Sequence, residues 1–267
     1  MTEPELLREL TDDGVLVLTL NRPATMNALS NDLARGIIEA AIESKTNDAI
    51  WVIVITGAGR GFCAGADLSG GGPARGSGGP RPRAAATDKL GTSGAIVKAL
   101  ANADVPIVGA INGAAAGAGF GLALCCDVRI ASDQARMGSI FIKRGLGTDY
   151  GVSWWLPRLV GAAKAFELLY SGDILDAQAL LGLGLVNRVV PHESLMAETM
   201  AYARTIAAGP PFAYTYTRRN VMRAIDTGLD AQVESEWRNQ VELLGTADAA
   251  EGFRAFAERR APTFTGR

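Results

Sequence analysis

Three segments of this chain combine small residues with positions from which a backbone can act chemically. The first is Gly61-Phe62-Cys63-Ala64-Gly65-Ala66-Asp67-Leu68. The second is Asn112-Gly113-Ala114-Ala115-Ala116-Gly117-Ala118-Gly119-Phe120-Gly121-Leu122-Ala123, and the third Gly145-Leu146-Gly147-Thr148-Asp149-Tyr150-Gly151. The first two each follow an apolar run of strand length. Small side chains let a ligand come close to the main chain. The second segment also opens a helix, whose first N–H groups lack intrahelical acceptors and carry partial positive charge. Two such groups aimed at one carbonyl oxygen form an oxyanion hole, worth about 3–4 kcal/mol per donor as charge develops. The same residues also suit close helix–strand packing, so each segment alone leaves both readings open.

Other chemistries fit poorly. Gly57-Ala58-Gly59-Arg60-Gly61 places Phe62 where a dinucleotide fingerprint needs its third glycine, and no Gly-Lys-Ser/Thr follows for a P-loop. His192 is the single histidine, too few for a multi-histidine metal site. It also has no Gly-x-Ser-x-Gly elbow to serve. Cys63, Cys125 and Cys126 are odd in number and carry no Cys-x-x-Cys spacing, so buried, reduced thiols in a cytoplasmic protein are expected. Cys63 near the first segment has no sequence neighbour that would activate it as a nucleophile. A net charge of -2 argues against a nucleic-acid partner. The uncharged run from Val105 to Cys126 raises the question of a membrane span, but Pro106, Asn112 and its glycines point to a buried strand, turn and helix. No secretory signal is visible at the N-terminus.

The elements that must position these segments can be read along the chain. Val15 to Leu20 reads as a strand, and Ser30 caps a helix to about Lys45 with Leu33, Ile37, Ile38, Ala41 and Ile42 apolar. Trp51 to Thr56 reads as a strand buried on both faces. Ser69 to Ala86 is Gly/Pro/Arg-rich and is expected as a mobile loop. A helix from Asp88 to Ala101, a strand at Ile107 to Ile111, a helix from Ala118 to Cys125 and a strand at Val128 to Ala131 follow. Leu156 to Tyr170 reads as helix broken near Gly161, Asp176 to Leu181 as a short helix and Leu185 to Val190 as a strand. Helices then run alone from Glu193 to Arg259. With 267 residues, 48% apolar and 20% charged, the chain suits an α/β layer structure with a helical tail. The pattern does not distinguish an open sheet from a spiral.

Taken together, these motifs resemble the enoyl-CoA hydratase/isomerase (crotonase) family over nearly the whole chain. The resemblance rests also on Asn21-Arg22-Pro23 with Asn27-Ala28-Leu29, Pro106 to Asp127, Leu156-Pro157-Arg158-Leu159-Val160-Gly161, Gly184-Leu185-Val186-Asn187-Arg188-Val189-Val190, Glu251-Gly252-Phe253 and Pro262-Thr263-Phe264. It implies a spiral of ββα turns over residues 1–200 that binds acyl-CoA, and a C-terminal helical oligomerisation region over 201–267. It places the oxyanion donors on Ala66 and Ala118, and coenzyme A near Arg22 (phosphates), Ala28, Ala64 (adenine), Asp67 and Leu68 (pantetheine). Coenzyme A is then part of the substrate, with no separate cofactor or metal. A homotrimer or hexamer is implied.

The resemblance also breaks at informative places. The two glutamates with which hydratases of the family add water fall on Gly121 and Phe141, neither of which can move a proton. With Trp154, these residues are expected to line the acyl pocket. The pattern Phe141, Lys143, Gly145-Leu146, Asp149, Gly151, Trp154 is similar to that of phenylacetate-pathway ring-epoxide isomerases, whose catalytic aspartate falls on Asp149. Gly147 and Thr148 depart from it. The 4-chlorobenzoyl-CoA dehalogenases share the aspartate but need a histidine near Gly94, which is absent. One carboxylate suffices for a 1,3-proton shift, and Phe141, Trp154 and Trp155 are expected to desolvate Asp149 and raise its pKa. The alternative for Asp149 is an N-cap on the next helix. The expected activity is enoyl-CoA isomerisation. The alternatives are a CoA-thioester-binding protein without chemistry and a weak hydratase using Asp149.

Overall fold

The computed structural model describes residues 3–67 and 89–267. Leu68 and the loop expected at 69–86 lie outside the described residues. Strand β1 (Leu6–Leu10) pairs antiparallel with β2 (Val15–Leu20). Helix α1 (Asn31–Glu43) follows, then β3 (Val52–Gly57), β4 (Gly61–Cys63) and α2 (Gly91–Ala101). The next turn is β5 (Ile107–Ile111), β6 (Ala114–Ala116) and α3 (Ala118–Leu124). After it come β7 (Val128–Ser132), β8 (Arg136–Gly138), α4 (Val152–Val160) and α5 (Ala162–Ser171). The core ends with β9 (Leu175–Asp176), α6 (Ala177–Gly182) and β10 (Arg188–Val190). Helices α7 (Leu195–Ala207), α8 (Pro211–Ala224), α9 (Leu229–Leu244) and α10 (Ala247–Glu258) complete the chain.

From β3 to β8, successive strands alternate between two sheets. One sheet runs β1-β2-β3-β5-β7-β10 and the other β4-β6-β8-β9. Each ββα turn therefore gives one strand to each sheet, and the chain winds as a spiral. From β2 onward the larger sheet is parallel. Parallel strands covered on both faces read as continuous apolar runs. Val52, Ile53, Val54 and Ile55 are accordingly all fully buried.

Local signals set several helix ends. Ser30 Oγ accepts from the Leu33 N–H at 3.1 Å and starts α1. Asp176 Oδ1 accepts from Ala179 N at 2.9 Å and starts α6. Gly161, at φ 77°, separates α4 from α5, as the predicted break required.

Several expectations need correction. β1 was not expected, because its mixed, largely exposed residues carry no burial signal. Ile42, counted among the apolar residues that mark α1, is 56% exposed. The strand expected from Leu185 begins only at Arg188, because Leu185 N bonds back to Leu180 O and closes the turn after α6. Ala114–Ala116 forms a strand between β4 and β8, made of residues too small to signal one.

Arg218 ties the helical tail to the spiral. Its guanidinium pairs with Asp127 Oδ2 at 2.8 Å and donates to the carbonyls of Leu100 at 2.7 Å and Ala101 at 3.0 Å. Asp127 also accepts from Ile107 N at 2.8 Å. One buried cation thus joins α8 to the end of α2 and to the approach to β5.

Candidate active site

The first and second motif segments meet. Leu29 and Ala66 form an isolated parallel bridge: Leu29 N donates to Gly65 O at 2.8 Å, and Asp67 N donates to Leu29 O at 2.9 Å. In such a bridge the middle residue turns its own N–H to the opposite side. The Ala66 N–H makes no hydrogen bond among the described residues. Gly65, at φ 124°, lies against the second segment: a Cβ built on it would be 3.2 Å from Ala116 O and 4.0 Å from Ala118 N.

Gly117 makes the turn into α3 at φ 54° and ψ −114°, and its N–H donates to Gly138 O at 3.0 Å. Ala118 is the first helical residue, so its N–H has no intrahelical acceptor. Gly119 is required by packing, since a Cβ there would sit 1.9 Å from the Cys63 carbonyl oxygen. That contact holds α3 on the strand that leads to Ala66. The Phe141 ring covers the turn, with its Cε1 3.8 Å from the Cβ position of Gly117.

Asp149 lies in the loop between β8 and α4 and is exposed. Its Oδ1 accepts from the Tyr150 N–H at 2.7 Å. The expected apolar enclosure of Asp149 is not what the structure has. Of the two tryptophans it is Trp155 that reaches this loop, its Cδ1 lying 3.3 Å from the Cβ position of Gly151. Trp154 sits under the Arg158 guanidinium, 4.2 Å from the ring centroid. It faces a cleft of about 730 Å³ that also borders Lys98 and Arg218. The N-cap alternative is also corrected, because Gly151, at φ 71°, occupies the cap of α4 and no side chain bonds there. Gly121 lacks any space for a side chain: a Cβ would meet Tyr150 Cβ at 2.5 Å and Tyr150 O at 2.7 Å.

Of the residues expected around coenzyme A, Arg22, Ala28 and Asp67 form one network. Arg22 pairs with Asp67 at 2.7 Å and Glu5 at 3.0 Å and donates to the Ala28 carbonyl. Ala64 N donates to Met26 O at 2.9 Å. Sequence reasoning missed the two carboxylates on Arg22. Asp67 was already a candidate, and only its pairing required the fold.

Cys63 is fully buried, and burial pushes its thiol up to about 12, which leaves it inert as a nucleophile. The fold does bring a serine to His192, with Ser132 Oγ 3.0 Å from Nδ1. Ser132 is completely buried, and Asp133 meets its hydroxyl rather than the imidazole. This is a structural cluster, not a hydrolytic triad.

The motif geometry agrees with comparison to known proteins. The enoyl-CoA hydratase/isomerase family model matches residues 11–267. The chain belongs to that family. Among relatives of the enoyl-CoA hydratase/isomerase family, it is 37% identical to the "Probable enoyl-CoA hydratase" of Rhodobacter capsulatus, covering 98% of each chain. It is 36% identical to the 1,2-epoxyphenylacetyl-CoA isomerase of Escherichia coli, covering 98% of this chain and 99% of that one. The solved structure of an enoyl-CoA hydratase from Polaromonas sp. JS666 superposes with a TM-score of 0.89 at 32% identity, covering 97% and 99% of the two chains. The spiral is thus the crotonase fold, and the chain is an enzyme of this hydratase/isomerase family. Among the described residues no helix is long and apolar enough to cross a membrane.

Proposed function

We propose that the protein is an enoyl-CoA isomerase that shifts a double bond by a 1,3-proton transfer. The Ala66 and Ala118 N–H groups hold the thioester oxygen as the enolate forms. Asp149 takes the proton from the α-carbon and returns it at the γ-carbon. The observation that carries this reading is the close approach of Gly65 to Ala118, which brings near each other two amides with no acceptor among the described residues, while the loop packed on Gly121 of the same helix carries one carboxylate. Gly121 and Phe141 supply neither of the proton-transfer groups that hydration uses.

In this reading Arg22 receives the coenzyme A phosphates, Ala28 and Ala64 flank the adenine end, and Asp67 and Leu68 flank the pantetheine. The phosphates exchange with Glu5 and Asp67 for the guanidinium. Phe141, whose ring covers the Gly117 turn, borders the acyl group, whereas Gly121 is packed against Tyr150 and Trp154 faces the cleft with Lys98 and Arg218, so neither lines that pocket. The apolar residues Leu229, Val233, Trp237, Val241 and Leu244 are all about half or more exposed along one face of α9. Such a stripe supports assembly as a homotrimer or hexamer. Analytical ultracentrifugation reading a monomer would end that part.

The decisive experiment replaces Asp149 with Asn and follows isomerisation of a 3-enoyl-CoA. A fall in kcat of about 10²–10⁴-fold is expected. Unchanged turnover would remove Asp149 from the mechanism. Exchange of the α-proton of a bound saturated acyl-CoA with deuterated solvent separates an enzyme from a binder, since only an active base gives exchange.

A second reading, weak hydration, draws support from the exposure of Asp149 to water. It predicts hydration of crotonyl-CoA that is lost in the same Asp149→Asn variant.

A further inference from the structure

The loop that carries Asp149 is open on one side and fixed on the other. A Cβ built at Gly145 or Gly147 would meet nothing within 4 Å. Tyr150, in contrast, is only 8% exposed, although it directly follows an exposed aspartate. Its backbone sits at φ 54°, in the left-handed region, where a bulky residue is strained and persists only when its surroundings dictate it.

Those surroundings are identifiable. The Tyr150 main chain and Cβ press on α3 at Gly121, where the absent side chain leaves room for them. The ring lies in the same apolar core as Phe62, Cys63 and Phe120. Burial pushes the phenol up to about 12, with further upward pressure from the neighbouring Asp149 and Cys63. So the side chain of Tyr150 reaches back toward β4, the strand before Ala66, while its backbone leans on the helix that begins at Ala118. Its N–H meanwhile holds one carboxylate oxygen of Asp149 at 2.7 Å.

We propose that Tyr150 is the positioning residue for Asp149, and that Gly121 is the socket that receives it. The ring anchors the loop to α3, which begins at Ala118, and toward β4, which leads to Ala66, and the N–H orients the carboxylate relative to them. The glycine at 121 therefore has a role of its own: the volume a side chain would fill there is used to seat the loop. This inference rests on Asp149 as the base.

Two substitutions disturb the seat in opposite ways. Gly121→Ala forces a methyl against Tyr150, and Tyr150→Ala removes the anchor. Both should lower kcat for 3-enoyl-CoA isomerisation by about 10–100-fold, the scale of a misplaced group, while KM and the Kd of a saturated acyl-CoA stay within about twofold. Amide hydrogen exchange in peptides spanning 145–152 should speed up by about tenfold or more in both variants. Tyr150→Phe, the conservative variant, keeps the anchoring ring and should restore kcat and slow exchange. The inference is overturned if loop exchange stays at the parent rate in both variants, or if kcat holds while KM rises. Asp149→Asn is measured alongside. If it abolishes turnover and the seat variants do not, positioning alone is wrong. If it leaves turnover intact, the base assignment fails and the positioning role goes with it.

Discussion

At position 119 an added methyl carbon would sit 1.9 Å from a carbonyl oxygen, whereas at position 147 it would meet nothing within 4 Å. The two glycines belong to the two halves of the candidate site. The floor, formed by β4, β6 and the start of α3, is packed backbone against backbone. The loop facing it is open at Gly145 and Gly147 and fixed where Tyr150 enters the core and Gly151 meets Val97 and Trp155. The contrast follows from what each half contributes. Main-chain donors act only if the main chain is immobile, because their value lies in being oriented before charge develops. A side-chain base needs access to substrate and protons, and it is fixed through a neighbouring residue instead.

The largest effect that tests this contrast is expected from Ala118→Pro. Proline is tolerated at a first helical position, where its missing N–H satisfies nothing in the helix. It deletes the donor and spares the fold. Steady-state kinetics should show kcat lower by about 10²–10³-fold with little change in Tm. Retained activity would mean that this amide does not contact the developing oxyanion.

Gly119→Ala comes next and should act on stability. Overpacking typically costs about 1–3 kcal/mol, and backbone is the least yielding neighbour. Urea unfolding should show a clearly lower midpoint, and an unchanged midpoint would contradict the packing of α3 on β4.

A smaller effect is expected far from the floor. Glu251 holds the C-terminal segment by accepting from Arg260 and from Thr263 N at 3.1 Å. The Arg260 hydrogen bonds, then that from Thr263, hold its carboxyl at about 2, below its ordinary 4.5. The folded form therefore binds fewer protons than the unfolded one near pH 4. The tether is complete above about pH 4.5 and lost as pH falls toward 2. The protection of amides in a peptide covering 261–265, measured as their exchange relative to an unstructured chain at the same pH, should fall across that window and stay high at neutral pH.

The smallest effect belongs to Gly147→Ala, which should change stability by no more than about 0.5 kcal/mol. A larger loss by thermal unfolding would show that the loop is more constrained than its surroundings imply.

Much of this arrangement was legible before the fold was known, for physical reasons that can be named. Ser30 and Asp176 are helix caps, and a cap is a local hydrogen bond between near neighbours in sequence. Val52 to Ile55 form an unbroken apolar run because β3 is covered on both faces. Ala66 and Ala118 were singled out through the family resemblance, within segments of small residues that follow strands. What was missed depends on distant partners. β1 is recognisable only by its pairing with β2, and Ala114–Ala116 only by lying between β4 and β8. The exposure of Asp149 and the Tyr150–Gly121 contact were equally hidden. Aromatic residues adjacent in sequence suggested an apolar shield, but α4 directs Trp154 toward Arg158 and another cleft.

The winding of the chain has a consequence for how the molecule is made. Ile53 pairs with Ile107, and Arg188 with Ile130, so neighbouring strands of the larger sheet are brought together from far along the polypeptide. Closing such long segments before any pairing reward arrives slows folding. Until β10 is laid down, β7 has an unsatisfied edge, the kind that recruits another copy and aggregates. Synthesis of this polypeptide should therefore be most vulnerable in the interval between emergence of β7 and emergence of β10, when chaperone protection matters most.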